Sequence, residues 1–320
     1  MSEPKHIFII NPAAGKSDQT APVAGLVSEL LRRRKEPYEI LVTKAPRHAT
    51  TLVAEAAARN PGRTLRFYAC GGDGTLNEVA AGAVGMENAA VAHCPTGSGN
   101  DFIKLFGADV YRFSDLEELL NGEVIELDCI RSDCGLAANV LSVGVDARIA
   151  AGMQKYKRLP LLSGSGAYIA ATAENLIRGL HQPYGVEIDG KTFDGRYTLI
   201  LAANGRYYGG GFFPVPEADP ADGLLDVLLV RDVSRLTAAR VINIYKSGRH
   251  AELPDFITYF RAREMTVYSA SGKDMEVNLD GEIAHESRVS LRVVPHGLKF
   301  IVPKGARMVK PIQTKEASHA

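Results

Sequence analysis

Between positions 70 and 78 the chain reads Cys70-Gly71-Gly72-Asp73-Gly74-Thr75-Leu76-Asn77-Glu78: glycines, carboxylates and a hydroxyl within a few residues. Residues of these types suit phosphate binding. Gly71, Gly72 and Gly74 permit positive φ and keep side chains out of the way, so a ligand can reach main-chain N–H groups. The preceding Arg66-Phe67-Tyr68-Ala69 has the character of a short buried strand, and Leu76, Val79, Ala80 and Ala83 recur at helical spacing. A strand should therefore turn into a helix here, presenting unpaired N–H groups and the positive end of the helix dipole. A carboxylate at such a lip repels phosphate unless a cation bridges the two, so Asp73 implies magnesium. A bare Gly-Gly-Asp-Gly is equally suited to a plain strand–helix turn.

Two further turns have the same texture. Asn11-Pro12-Ala13-Ala14-Gly15-Lys16-Ser17 follows the apolar run His6–Ile10. Its Gly-Lys-Ser ending does not make a P-loop, because position 10, where the first glycine belongs, is Ile10. Pro95-Thr96-Gly97-Ser98-Gly99-Asn100-Asp101-Phe102 leaves the strand-like Ala90–Cys94. Ser98 could bind phosphate, Asn100 and Asp101 could orient a ligand or a metal-bound water, and Asp101 is equally placed to cap a helix starting at Phe102.

Helical stretches at about 22–35 and 49–59 alternate with strands at 6–10, 38–43, 66–70 and 90–94, which predicts right-handed βαβ units and a parallel sheet. Ligands of such sheets gather at the carboxyl ends of the strands, where Asn11, Thr43 and Gly71–Thr75 all fall. The cations Arg32–Lys35 sit at the negative pole of the first helix dipole, and His48 reads as a solvated loop residue. Past Glu126 the texture changes to short alternating strands with Asp-Gly turns, which predicts an antiparallel sandwich interrupted by helices at about 165–180 and 238–246. The expected organisation is an α/β domain over 1–126, to which 297–320 returns, and a β-sandwich domain over 127–296, with the active site in the cleft between them. A polar tail after Val302 is expected to fray.

Composition fits this plan. With 320 residues, 46% of them hydrophobic, the chain can bury two cores. The 37 basic and 37 acidic residues cancel, so no overall attraction to nucleic acid is expected. No apolar run approaches the roughly 20 residues of a membrane span, and the N-terminus has no signal-peptide pattern. Cys70, Cys94, Cys129 and Cys134 lack metal-ligand spacing and read as small buried residues of a cytoplasmic protein.

These motifs together resemble the diacylglycerol kinase catalytic-domain family of soluble bacterial lipid kinases, related to the sphingosine and ceramide kinases. Asn11, Pro12, Ala13, Ala14, Gly15, Lys16, Thr43, Gly71, Gly72, Asp73, Gly74, Thr75, Asn77, Glu78, Gly97, Ser98, Asn100 and Asp101 match its nucleotide side. Asn139–Asp146, Asn204–Gly211, Pro216–Ala218, Asp222–Asp226 and Asp280-Gly281-Glu282 match its second domain. The resemblance implies an ATP- and Mg2+-dependent kinase acting on a lipid hydroxyl, diacylglycerol being the default acceptor. It implies network aspartates at Asp73 and Asp128, a general base at Glu282, and a structural magnesium held by the main-chain oxygens of Asp219 and Leu224 and the carboxylate of Asp222. A lipid acceptor implies a peripheral, transient encounter with a membrane, for which Lys155–Leu162 offers cations among apolar residues. A homodimer is compatible with exposed strand edges. The alternatives are an NAD kinase-like transferase acting on a soluble substrate and a non-catalytic nucleotide- or lipid-binding module.

Overall fold

The computed structural model describes residues 3–156, 170–175 and 179–312. The chain divides into two compact units, Met1–Cys129 with Pro295–Lys310, and Ile130–Val294 with Pro311–Ala320.

The first unit is α/β. Its strands are β1 (Lys5–Ile10), β2 (Tyr38–Val42), β3 (Leu65–Gly71) and β4 (Ala89–Pro95), and the unit also receives the end of β15 (Arg288–Val302). They lie in the order β15-β4-β3-β1-β2. The pairs β1–β2, β1–β3, β3–β4 and β4–β15 are parallel. Ile7, Phe8, Ile9 and Ile10 are wholly buried, as suits a strand flanked on both edges and covered on both faces. Helices α1 (Thr20–Arg34), α2 (His48–Ala58) and α3 (Asp73–Ala83) make the crossovers. The apolar stripe expected of α3, namely Leu76, Val79, Ala80 and Ala83, is its buried face. The cations ending α1 are engaged by neighbours: Arg33 by Glu117 and Arg34 by Glu36.

Segments after β4 depart from the expected pattern. A 3-10 helix spans Phe102–Ser114, broken at Gly107 (φ 53°), and is followed by α4 (Leu116–Leu120) and β5 (Glu123–Ser132). Its Phe102, Phe106 and Phe113 surround Phe300 of β15 with ring centroids 5.2, 6.4 and 6.3 Å away. The tail after Val302 is partly anchored, contrary to expectation. Gly305 N–H and Arg307 bond Glu123, and Val309 N–H bonds the Leu105 carbonyl at 2.8 Å.

His6, 1% exposed, places Nδ1 2.8 Å from Tyr68 Oη and Nε2 3.0 Å from Glu36. Burial lowers its pKa to about 4, against the opposing pull of Glu36. An unfolded His titrates near 6.5, so between those values the unfolded chain binds a proton that the folded chain does not. Stability therefore falls as pH drops from 6.5 towards 4, by about 3 kcal/mol in full. Urea midpoints at neutral pH and at about pH 4.5 should separate less in His6→Gln than in the wild type.

The second unit is an antiparallel β-sandwich. It adds β6 (Gly135–Ala137), β7 (Val140–Gly144), β8 (Gln182–Ile188), β9 (Lys191–Ala203), β10 (Leu225–Arg231), β11 (Ile257–Ala262), β12 (Glu264–Ser269), β13 (Met275–Leu279) and β14 (Glu282–Glu286). One path of paired strands runs β14-β13-β7-β9-β8-β12-β15, and β10 joins β9 to β11. The long β9 supports both layers: residues 191–197 pair with β8, and 199–203 pair with β7 and β10. One core gathers Val186, Ile200, Val227, Val267 and Val277, and a second gathers Leu201, Val215, Leu228 and Tyr245. Helices α5 (Val145–Tyr156) and α6 (Arg235–Lys246) belong to the same unit.

β11 and α5 went unread in the sequence. Ile257-Thr258-Tyr259-Phe260 lacks flanking turn glycines, and α5 follows β7 with no cap signal. Of the helix expected over 165–180, residues 170–175 are helical, Gly179 and Leu180 are not, and the rest lies outside the described residues. Of the expected membrane patch, Lys155 and Tyr156 are engaged by Glu174 and residues 157–162 lie outside the described residues.

Candidate active site

The three glycine-bearing turns meet at the carboxyl edge of the first unit's sheet. Asn11, following β1, donates through Nδ2 to Thr75 Oγ1 at 3.0 Å and accepts the Ala13 N–H through Oδ1 at 3.0 Å. Thr96 and Gly97 donate their N–H groups to the Gly71 carbonyl at 2.9 and 3.1 Å. Asp73 Oδ1 accepts the Phe102 N–H at 3.1 Å, tying the second turn to the third. Thr43, at the end of β2, is buried and donates its N–H to the Ile10 carbonyl.

The glycines act differently from the sequence-based expectation. Gly71, Gly72 and Gly74 do not adopt positive φ, and Gly72 is extended at φ −98°. Gly71, and Gly97 of the third turn, serve close approach instead. A Cβ on Gly71 would strike the Thr75 side chain, and one on Gly97 would strike the Gly72 backbone. Gly15, which does have positive φ (76°), rests on the Thr96 carbonyl. Beside Gly74 the space is open for 4 Å. In this cradle, then, two glycines close the loops on each other and Gly74 faces outward beside the first N–H groups of α3, which have no acceptor within the helix.

This division is testable. Gly97→Ala should cost about 1–3 kcal/mol, since backbone cannot move aside cheaply. Gly74→Ala should leave the melting temperature near that of the wild type while weakening nucleotide binding. Thermal melts with and without ATP distinguish the two.

Other acidic side chains have local tasks. Asp101 is buried and does not cap the following helix through its side chain, which pairs with Lys104 instead. Glu78 lies further along α3, where its Oε2 accepts the Ala49 N–H at 3.0 Å and so caps α2. His48, expected in a loop, opens α2 and takes the Lys44 N–H on Nδ1. Asn77 is buried, Ser98 and Lys16 are exposed, and Asn100 adopts φ 49° while donating to the Gly97 carbonyl at 2.9 Å. Asp128 is fully buried on β5, where Oδ1 accepts the His296 N–H at 2.8 Å.

His93 escaped sequence reading. It is wholly buried on β4 with Nε2 3.2 Å from the Gly71 carbonyl, and burial keeps its pKa below the ordinary value despite nearby Asp73. A lone histidine in an apolar run carries no sequence signal for this role.

In the second unit, Asp280-Gly281 forms the β13–β14 turn with both residues at positive φ (50° and 96°). The Asp280 carboxylate accepts three backbone N–H groups, from Ala138 at 2.7 Å, Asn139 at 3.0 Å and Val140 at 2.7 Å. Glu282 opens β14, half-buried. Asn139 in turn donates to the Tyr207 carbonyl, and its own carbonyl takes the N–H groups of Asn204 and Gly205 at 2.8 and 3.0 Å. Thus the segments 138–140, 204–207 and 278–282 are bound into one polar framework that presents Glu282.

The loop before β10 holds the other predicted acids. Asp219 Oδ1 accepts the Ala221 N–H, and Asp222 accepts the Leu224 N–H on Oδ1 while Oδ2 pairs with Arg261. Among the described residues no three acidic, histidine or cysteine side chains converge on a metal position. Asp222 is thus engaged by a guanidinium and an amide, the main-chain oxygens of Asp219 and Leu224 are the other donors of the expected set, and no chemical step is assigned to it. Nearby Asp226 receives the Tyr259 hydroxyl at 2.5 Å, and burial pushes its pKa up to about 7.

Comparison with known proteins agrees with this architecture. The profile of the diacylglycerol kinase catalytic domain matches residues 5–132, and that of the YegS C-terminal NAD kinase beta sandwich-like domain matches residues 139–302. The chain belongs to the diacylglycerol kinase catalytic-domain family. A Staphylococcus aureus (strain Mu3) protein named "Putative lipid kinase" is 26% identical over 236 residues, 73% of this chain and 76% of its own. Two solved structures from Bacillus anthracis strain Sterne share the fold. One, described as a "putative diacylglycerol kinase", has TM-score 0.69 and 22% identity over 96% of this chain and 99% of its own. The other, described as a diacylglycerol kinase, has TM-score 0.67 and 19% identity over 96% and 100%. As a member of this family the chain is a lipid kinase-like phosphotransferase. Among the described residues no helix is long and apolar enough to cross a membrane.

Proposed function

We propose that this family member transfers the γ-phosphoryl group of ATP to the hydroxyl of a lipid, diacylglycerol giving phosphatidate. The observation that carries the reading is the cradle of three interlocked turns, with Asp73 held at the open start of α3 by the Phe102 N–H. The half-exposed Asp73 carboxylate would help hold magnesium and the unpaired helix N–H groups would hold the triphosphate, the cation offsetting the repulsion between carboxylate and phosphates. Bound there, magnesium supplies charge compensation on the transferring phosphoryl group.

The chain's own residues have separable tasks in this reading. The N–H groups of Asp73, Gly74 and Thr75 bind phosphate oxygens, and Asn11 and Thr75 hold the first two turns in register. Glu282 takes the proton of the attacking alcohol. Asp128 acts by fixing the backbone at His296. Transfer of this kind rests on positioning and charge, so a rigid framework around each group matters more than covalent participation.

The test supplies purified protein with labelled ATP, Mg2+ and, in separate reactions, detergent-dispersed diacylglycerol, total bacterial lipid and NAD. Label in phosphatidate is the expected result. Label in NADP would replace the reading with an NAD kinase-like one. ATP binding without transfer to any acceptor would leave a non-catalytic binding module. Membrane contact is then peripheral and transient, lasting long enough for the enzyme to reach an acceptor embedded in the bilayer.

A further inference from the structure

Helix α6 has an outer face that its own unit leaves uncovered. Val241, Ile244 and Tyr245 turn inward and pack in the second core. Arg235, Leu236, Ala239, Arg240, Ile242, Asn243 and Lys246 are all exposed. At about 100° per residue these seven fill one continuous arc of nearly half the circumference. Leu236 is 74% exposed and Ile242 43%, and both share this arc with Arg235, Arg240 and Lys246. The helix carries three basic residues and no acidic one, in a chain whose total charge is zero. Its end is bonded to the aromatic, glycine-rich loop 207–213: the Phe213 N–H donates to the Lys246 carbonyl at 3.0 Å, and Lys246 Nζ lies 5.2 Å from the Phe212 ring centre.

We infer that the outer face of α6 is a docking surface for an anionic phospholipid bilayer. Arg235, Arg240 and Lys246 meet the lipid phosphates, while Leu236 and Ile242 enter the boundary between headgroups and chains. Charge complementarity selects this occupant: an all-basic arc with embedded aliphatics matches an anionic, hydrocarbon-backed surface. The bonded loop 207–213 overlaps the stretch Asn204–Gly211 that resembles the second domain of the family, so docking here would bring that loop to the lipid. The inference rests on the lipid-kinase reading for its purpose, but its test does not depend on that reading.

The experiment is vesicle co-sedimentation, comparing phosphatidylglycerol with phosphatidylcholine vesicles. Wild type should bind the former and scarcely the latter, and high salt should release it. The double variant Leu236→Glu/Arg240→Glu should bind phosphatidylglycerol vesicles at least about tenfold more weakly. Leu236→Ser alone should show a smaller loss. Both should melt with the wild type and phosphorylate a detergent-dispersed acceptor at the wild-type rate. Unchanged vesicle affinity in the folded double variant overturns the inference. So does a double variant that loses self-association by sedimentation velocity yet binds vesicles normally, since the face would then join two copies of the chain. Loss of vesicle binding with no lipid phosphorylated by either protein would sustain the docking surface and remove the lipid-kinase reading.

Discussion

Asp73→Asn is expected to lower phosphoryl transfer by about 10^2–10^3-fold while leaving the fold intact. The reason lies in what the substitution keeps. Asp73 Oδ1 accepts the Phe102 N–H at 3.1 Å, and the amide oxygen of Asn can accept the same bond. Only the negative charge disappears, and with it the attraction for magnesium beside the phosphates. The measurement pairs a Mg2+ titration of transfer with a thermal melt. Normal turnover would remove Asp73 from the chemistry, and a collapsed melting temperature would show that the carboxylate is structural.

The second large effect separates two acids that stand two residues apart. Glu282→Gln should reduce transfer by about 10^2–10^4-fold, the usual worth of a positioned base, with ATP affinity and stability unchanged. Asp280→Ala should instead destabilise the protein by on the order of 3–5 kcal/mol, because it strips the acceptor from the N–H groups of Ala138, Asn139 and Val140 at once. Urea unfolding and single-turnover transfer, measured on both variants, give opposite patterns. Equal loss of stability in Glu282→Gln would mean that its carboxylate belongs to the same framework.

Much of this was legible in the sequence. The strand–turn–helix character of residues 65–83 follows from a short buried run succeeded by helical spacing, and the burial of Leu76, Val79, Ala80 and Ala83 reflects it. The antiparallel second half showed in its Asp-Gly turns, of which Asp280-Gly281 joins β13 to β14. Side-chain roles set by distant partners did not show. Glu78 sits inside the phosphate motif, yet its carboxylate caps a helix 29 positions earlier in the chain. Asp101 looks like a helix cap, but its own backbone is helical (φ −70°, ψ −36°) rather than extended, and its carboxylate pairs with Lys104. Nor did the glycines declare their purpose, since close loop-to-loop approach and positive φ call for the same residue type.

The final strand of the first unit has a consequence for biosynthesis. Phe300 fills the space among Phe102, Phe106 and Phe113, and Phe300 pairs with Val91 of β4. When residue 129 leaves the ribosome, the sheet still lacks this edge, and it is completed only by residues from 295 onward. At roughly 5–20 residues per second the nascent first unit spends on the order of 10–30 s with an open strand edge and an unfilled aromatic pocket. A nonsense mutation late in the message would therefore damage the earliest-made part of the protein, leaving a product suited to chaperone capture and proteolysis.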